Sequence, residues 1–125
     1  DEYNLRHLCV WKGWIDDDEK LSLLNECHAL IIASLWEGFG LPALEAMACG
    51  TPVIASDRGA LREVMGNYGY FINPFNIQSI ACAMNAVIND KKCFEKALQE
   101  GPSRAESFNW LDTARTIEKI IQEID

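Results

Sequence analysis

One stretch of the chain decides the fold, residues 29–56, with the sequence ALIIASLWEGFGLPALEAMACGTPVIAS. Ala29–Ser34 and Thr51–Ser56 are short, largely apolar runs, typical of central strands that are covered on both faces of a parallel sheet. Leu41–Ala48, between them, is predicted to be a helix because Pro42 lies near its start, where a missing N–H is tolerated. The strand-helix-strand order predicts an α/β fold.

The same alternation continues on both sides of this stretch. Further strands are predicted at Leu8–Gly13 and Tyr68–Asn73. Helices are predicted behind a cap offered by Asp16, Asp17 or Asp18 and running through Cys27, at Leu61–Met65, behind an Asn76 cap through Ile88, in parts of 91–108 with a break at Gly101-Pro102, and behind an Asn109 cap. The chain is therefore predicted to be a Rossmann-like three-layer sandwich with a parallel sheet, followed by C-terminal helices.

Length and charge restrict the possible functions. The 125 residues suit one domain, and 19 acidic against 11 basic side chains give a formal net charge of -8. A domain this acidic lacks the broad positive surface that binds nucleic acid or an anionic membrane. A few local groups could still hold a phosphate, so a mononucleotide ligand remains compatible with the composition.

The cysteines and the hydropathy indicate the cellular compartment. The five cysteines are an odd number without a C-x-x-C pair, and they are interpreted as reduced, buried thiols of a cytosolic protein. The longest apolar run is too short to cross a bilayer, and the first residues do not resemble a signal peptide. The predicted location is cytoplasmic.

The segment from Glu37 to Glu45 is the candidate for chemistry, since it joins a buried strand to the start of a helix. Gly38 and Gly40 allow a ligand to approach the backbone, and the helix beginning at Leu41 offers free N–H groups and the positive end of its dipole. This arrangement predicts a phosphate site. The Glu37 and Glu45 carboxylates, with seven residues between them, are strong acceptors for sugar hydroxyls at its two ends.

These residues carry a resemblance to a known family. The run from Glu37 to Asp57 resembles the nucleotide-sugar-binding half of GT-B fold glycosyltransferases, most closely the retaining enzymes of glycosyltransferase family 4. The E-x7-E pair, the Gly-Phe-Gly-Leu-Pro insert and the Ala-Cys-Gly-Thr-Pro-Val turn all appear in register. Weaker similarity extends over nearly the whole chain.

The resemblance implies roles for individual positions. Glu37 corresponds to the glutamate that contacts the donor sugar near the reaction centre, and is the implied catalytic residue. Glu45 corresponds to the glutamate that holds the ribose hydroxyls. The backbone N–H groups of Phe39, Gly40 and Leu41 are similar to those that meet the sugar and diphosphate.

Gly13 and Trp14 lie where the base is bound in the family. The implied reaction transfers a hexosyl group from a nucleoside-diphosphate sugar, with retention, to an acceptor such as a polysaccharide or glycolipid. It is expected to need neither a metal nor a cofactor besides the donor. The Asp16-Asp17-Asp18 triplet is interpreted as a helix cap and not as a metal clamp.

The match is incomplete at its start. Family members carry an Arg and a Lys five positions apart that grip the diphosphate, whereas Arg6 is followed by Trp11 at that spacing. Residues 1–125 are therefore predicted to be a partial C-terminal donor-binding domain, with an acceptor-binding N-terminal domain upstream and little activity alone. Missing strands would leave a sheet edge open, so self-association is a further expectation.

Two other classes of function stay open on the residues alone. Gly38-x-Gly40-x-x-Ala43, with Asp57 downstream, satisfies the fingerprint of an NAD-binding oxidoreductase domain. Against it, Glu37 would repel a pyrophosphate. A non-catalytic interaction module could instead use the apolar stripe of Trp110, Ile117 and Ile124 as a partner surface, although such a stripe is usually core or domain packing.

Overall fold

Three short strands alternate with helices in the computed structural model, which describes residues 3–124. A 3-10 turn at Arg6–Leu8 precedes the first helix. The elements are α1 Asp17–Glu26, β1 Leu30–Ile32, α2 Leu41–Ala48, β2 Val53–Ser56, α3 Leu61–Met65, β3 Tyr70–Ile72, α4 Ile77–Asn89, α5 Lys91–Glu106 and α6 Trp110–Ile124.

The strands form one parallel sheet in the order β1-β2-β3. Leu30 of β1 is in register with Val53 of β2, and Ile54 of β2 with Tyr70 of β3. Every residue of β2 is buried, as expected for a central strand that is covered on both faces.

The two faces of β2 belong to two separate hydrophobic clusters. Val53 and Ala55 pack in a cluster built with α1, α2, α3 and α5, whereas Ile54 packs with Ile72 and with Ala83 and Val87 of α4. Helices thus cover both faces of the sheet, and the predicted α/β three-layer sandwich is confirmed.

Polar side chains begin three helices where the sequence predicts their caps. Asp16 Oδ1 accepts the Glu19 N–H of α1 at 2.8 Å, and Asn76 Oδ1 accepts the N–H of Ser79 in α4 at 3.1 Å. Asn109 Oδ1 accepts the N–H of Asp112 in α6 at 2.8 Å. Each bond satisfies a donor that the first helical turn leaves unpaired.

The predicted strand at Leu8–Gly13 is wrong. Apart from the end of the 3-10 turn this segment is irregular, and its apolar side chains are exposed, with Trp11 95% exposed. No strand of the described residues pairs with it, so apolar composition alone does not make it part of the sheet. As a result β1 is an edge strand in residues 3–124 and not the predicted central one; self-association through that edge stays a prediction.

The predicted break at Gly101-Pro102 is also wrong, because α5 continues through both residues. Gly101 is buried against α2, and only a residue without a side chain fits there. Farther along α5, Arg104 Nε donates to the Val64 carbonyl at 2.9 Å and so joins this helix to α3. Tertiary packing on both sides of the proline therefore overrides its helix-breaking tendency.

The buried environment predicted for the cysteines is not found. Cys9 and Cys82 are exposed, and Cys27, Cys49 and Cys93 are half-buried free thiols. The stripe along α6 is likewise outside the core of the described residues, since that helix buries none of its side chains. None of the helices in residues 3–124 is long and apolar enough to span a membrane.

Replacing Gly101 tests the contact between α5 and α2. A Cβ at Gly101 would lie 2.5 Å from the Met47 carbonyl oxygen and 2.9 Å from the Tyr68 hydroxyl. We expect Gly101→Ala to lower the free energy of unfolding by roughly 1–3 kcal/mol through overpacking, despite the better helix propensity of alanine. Urea denaturation measures it, with Gln99→Ala on the exposed side of α5 as control. A stability equal to or above wild type would contradict this packing.

The buried Tyr68 hydroxyl gives the fold a pH dependence. It donates to the Thr51 carbonyl at 2.9 Å, and burial raises the pKa of Tyr68 well above its ordinary value. Tyr68→Phe should lower the free energy of unfolding by about 1 kcal/mol at pH 7.

The difference between wild type and Tyr68→Phe should shrink above pH 10. Above pH 10, Tyr68 ionises in the unfolded chain but not in the folded one, so the wild type loses a contribution to stability that Tyr68→Phe does not have. Denaturation of both proteins at pH 7 and pH 11 measures this. A difference that is constant over that range would show that Tyr68 is not protected in the folded state.

Candidate functional site

The segment from Ala33 to Gly40 leaves the carboxyl end of β1 and leads directly into α2. Gly40 immediately precedes the helix with a left-handed φ of 96°, and a Cβ there would lie 2.8 Å from the Leu61 Cδ2 atom. The left-handed backbone conformation favours glycine at this position, and a larger residue would also require the Leu61 side chain to shift. In parallel α/β sheets, this carboxyl edge is where ligands bind.

The N-terminus of α2 has backbone donors that the rest of the chain does not use. The N–H groups of Phe39, Gly40 and Leu41 make no hydrogen bond to another group of residues 3–124, and Pro42 has none to offer. Phe39 and Leu41 are exposed, whereas Gly40 is buried. The unpaired donors and the helix dipole together favour an anion at this end of α2.

Glu37 is fixed through its main chain by the loop that follows β2. Its carbonyl accepts the Ala60 N–H at 3.1 Å, and a Cβ at Gly59 would overlap the Glu37 backbone. The Glu37 side chain is half-buried, and its Oε2 accepts the Ser34 hydroxyl at 3.4 Å. The carboxylate is therefore held at the carboxyl edge of the sheet with acceptor capacity to spare.

Glu45 lies in the second turn of α2 and is paired with α1. Lys20 Nζ lies 3.0 Å from Glu45 Oε1 and 3.0 Å from Asp17 Oδ1. The hydrogen bond to Glu45 and, after it, the one to Asp17 raise the pKa of Lys20 above its ordinary value. This partner of Glu45 is not among the residues that sequence reasoning selects.

The Phe39 side chain is anchored by the C-terminal part of the chain. Its ring contacts Phe108 edge-to-face with centroids 5.9 Å apart, and the Arg104 guanidinium lies 4.9 Å from the Phe108 centroid. A cavity of about 410 Å³ lies between the start of α2 and α6, lined in part by Phe39, Leu41 and Trp110. Phe39 thus contributes its side chain to packing and leaves its N–H free.

Gly13 and Trp14 lie on a separate loop before α1. Gly13 has a left-handed φ of 67°, and Trp14 is 88% exposed. Within residues 3–124, neither residue makes a hydrogen bond or ring contact with the segment from Glu37 to Glu45. The connection of Gly13 and Trp14 to this segment is indirect. Both residues precede α1, and Lys20 of α1 contacts Glu45.

The Asp16-Asp17-Asp18 triplet is confirmed as the start of a helix. Asp16 caps α1, and Asp17 pairs with Lys20. Across residues 3–124, no three His, Cys, Asp or Glu side chains are grouped so that they could hold a metal ion.

The geometry adds two residues that the sequence did not single out for the site. Gly59 matters through its close approach to Glu37, and its place in the loop three positions after the end of β2 is the signal that could have revealed it. Lys20 matters because it contacts Glu45, which lies 25 positions away, and no local sequence pattern indicates that contact. Gly38, in contrast, is exposed and has open space around the position of a Cβ.

Comparison with known proteins gives the family. Residues 1–104 match the model of the family described as glycosyl transferases group 1. The chain belongs to this family. Its match in fold to sucrose-phosphate synthase of Thermosynechococcus elongatus has a TM-score of 0.87 at 30% identity, and covers 98% of this chain and 32% of the synthase.

Two other relatives extend the comparison. The serotype-specific mannosyltransferase WbdA of Escherichia coli is 33% identical over 109 residues, which are 87% of this chain and 13% of WbdA. Anabaena HepE, solved in complex with UDP, shares the fold with a TM-score of 0.68 at 24% identity, over 81% of this chain and 29% of HepE. The chain thus spans only a minor part of each of these proteins.

The oxidoreductase alternative is not favoured. Gly38 lies six positions after the last residue of β1, whereas the dinucleotide fingerprint places its glycines directly at the strand end. Asp57, the residue that would hold the ribose in that alternative, is bound by Arg62 through Nε–Oδ1 at 2.5 Å. This hydrogen bond lowers the pKa of Asp57.

Two glycines of the site should respond differently to alanine. Gly59 has a left-handed φ of 58° and abuts the Glu37 backbone, so Gly59→Ala should lower the free energy of unfolding by roughly 1–3 kcal/mol. Gly38→Ala should change it by less than about 0.5 kcal/mol, because that position is open. Thermal or urea unfolding distinguishes them, and equal effects would argue against the close contact between Gly59 and Glu37.

Proposed function

We propose that this chain supplies the donor-binding site of a glycosyltransferase that moves a hexosyl group from a nucleoside-diphosphate sugar to an acceptor. The observation that carries the proposal is the arrangement around the start of α2. There, Glu37 and Glu45 flank unpaired backbone N–H groups of Phe39 and Leu41 in a member of the group 1 family. Carboxylates for sugar hydroxyls and N–H donors for phosphates are the groups such a donor needs.

The start of α2 would stabilise the leaving diphosphate. Negative charge grows on that group as the glycosidic bond breaks, and fixed N–H dipoles stabilise developing charge without reorganising. Phe39, Leu41 and the buried Gly40 present these dipoles from a backbone whose conformation is already set. No metal ion or further cofactor is part of the proposal.

The two glutamates would bind opposite ends of the donor. Glu37, held at the carboxyl edge of the sheet by Gly59 and Ala60, would contact the transferred sugar near the reaction centre. Glu45 would accept hydrogen bonds from the ribose hydroxyls, and Gly13 with Trp14 would lie at the base. These roles, and transfer with retention, follow the resemblance to family 4 enzymes.

The relatives support the ligand class and guide the acceptor. HepE was solved with UDP, and WbdA is a serotype-specific mannosyltransferase. We therefore propose a polysaccharide or glycolipid acceptor and a cytoplasmic protein, with peripheral attachment to the inner membrane face as the alternative location. Since the relatives are much longer, we also propose that an acceptor-binding domain outside these 125 residues is needed for turnover.

A ligand panel followed by amide NMR shifts tests the proposal. The probes are UDP, GDP, ADP, their hexose conjugates and NAD. One nucleoside diphosphate should shift the amides of Gly38–Leu41, Glu45 and Gly13–Trp14, with weak affinity, and this also identifies the base. NAD shifts centred on Gly38, Gly40 and Asp57, or no shifts with any probe, would contradict the proposal.

Variants of the two glutamates sharpen this test. Glu37→Gln should weaken binding of the hexose conjugate about tenfold, and Glu45→Gln should weaken the nucleoside diphosphate by a similar factor, because each loses a charged acceptor. Glu95→Gln, on the exposed surface of α5, is the matched control and should bind as wild type does.

A further inference from the structure

Lys20 lies where α1 meets α2, and it contacts the Glu45 carboxylate, which in the proposed function binds the ribose. Its Nζ is 3.0 Å from Glu45 Oε1 on α2 and 3.0 Å from Asp17 Oδ1 in its own helix. The two carboxylates together limit where the ammonium group can lie. One oxygen of Glu45 is thereby hydrogen-bonded to a side chain of a different helix, α1.

The position of Lys20 is set by the start of α1. The Lys20 N–H donates to the Asp16 carbonyl at 3.0 Å, and Asp16 also caps the helix through the Glu19 N–H. Lys20 therefore extends from an ordered first turn. Contacts with two carboxylates restrict the rotamers of the Lys20 side chain, which is 38% exposed, and the contact with Lys20 also restricts Glu45.

The second oxygen of Glu45 is left for a ligand. Glu45 Oε2 makes no hydrogen bond or ion pair with the part of the chain that the structure describes. An ionised carboxylate offers about four acceptor positions on its two oxygens, and Lys20 occupies one of them. The remaining positions are enough for a pair of adjacent hydroxyls.

We propose that Lys20 is a positioning residue that orients the Glu45 carboxylate toward the ribose hydroxyls of a nucleoside diphosphate. The inference rests on the proposed function, in which Glu45 binds the ribose. Lys20 acts through Glu45 and does not itself need to touch the ligand. Its loss should leave the charge on Glu45 intact and remove its fixed orientation.

The neighbouring ion pair extends the same arrangement to the base loop. Lys12 Nζ lies 2.8 Å from Glu19 Oε1, and Lys12 directly precedes Gly13. Consecutive residues of α1, Glu19 and Lys20, therefore contact the loop proposed for the base and the carboxylate proposed for the ribose. The first turn of α1 thus sets the spacing between the two parts of the nucleoside site.

Discrimination between ribose and deoxyribose tests the inference. The probe is whichever of UDP, GDP and ADP shifts the wild-type spectrum most, compared with its 2′-deoxy counterpart. We expect wild type to bind the ribonucleotide about tenfold more tightly. Lys20→Met should reduce this ratio at least about threefold, whereas Lys20→Arg, which keeps a cation at the same place, should restore most of it.

Controls separate positioning from a general structural effect. Lys96→Met removes a comparable exposed ion pair, with Glu100 on α5, and should retain the wild-type ratio. Exposed ion pairs contribute little to stability, so all these variants should unfold at nearly the same temperature. In the absence of nucleotide, Lys20→Met should also move the 13C shift of the Glu45 carboxyl carbon.

The outcomes distinguish the inference from the function on which it rests. If Glu45→Gln abolishes the discrimination and Lys20→Met retains it, the positioning role is overturned and the donor site stands. If Glu45→Gln also retains it, or wild type binds both nucleotides equally, Glu45 does not hold the ribose and both claims fail. If wild type binds none of the nucleotides, the proposed function is contradicted and the inference with it.

Discussion

The contact between α2 and α5 at Gly101 is the constraint on which the rest of the structure depends. It places the Met47 carbonyl of α2 against a helix that has no side chain at that point. Because α2 carries unpaired N–H groups at its start and Glu45 in its second turn, the position of α2 sets the position of the site. If α2 lay farther from α5, its unpaired N–H groups and Glu45 would both shift relative to the sheet.

Much of this arrangement could be predicted from local sequence. The predicted bounds of α2 and α3 agree with the structure, because Pro42, Gly50 and Gly66 mark the helix ends by their backbone preferences. The caps at Asp16 and Asn76 are equally local. The segment from Gly38 to Glu45 could also be selected in advance, since glycines and a helix start next to a buried strand are visible in the sequence.

What could not be predicted depends on contacts between distant residues. The segment from Leu8 to Gly13 has the composition of a strand, but a strand needs a neighbour with which to pair, and composition does not reveal one. The glycine-proline pair in α5 would end an isolated helix; packing against α2 and the Arg104 hydrogen bonds to α3 keep it continuous. The link between Lys20 and Glu45 is invisible for the same reason.

The segment between β1 and α2 is held from three directions, by the loop at Gly59, by Leu61 beneath Gly40 and by Phe108 against Phe39. A ligand arriving there meets main chain that is already ordered, so association does not first have to freeze a mobile loop. For the proposed sugar-nucleotide donor, selection among related sugars would then depend on the side chains around this ordered main chain. Exchanging those side chains would allow one backbone to accept different donors during evolution.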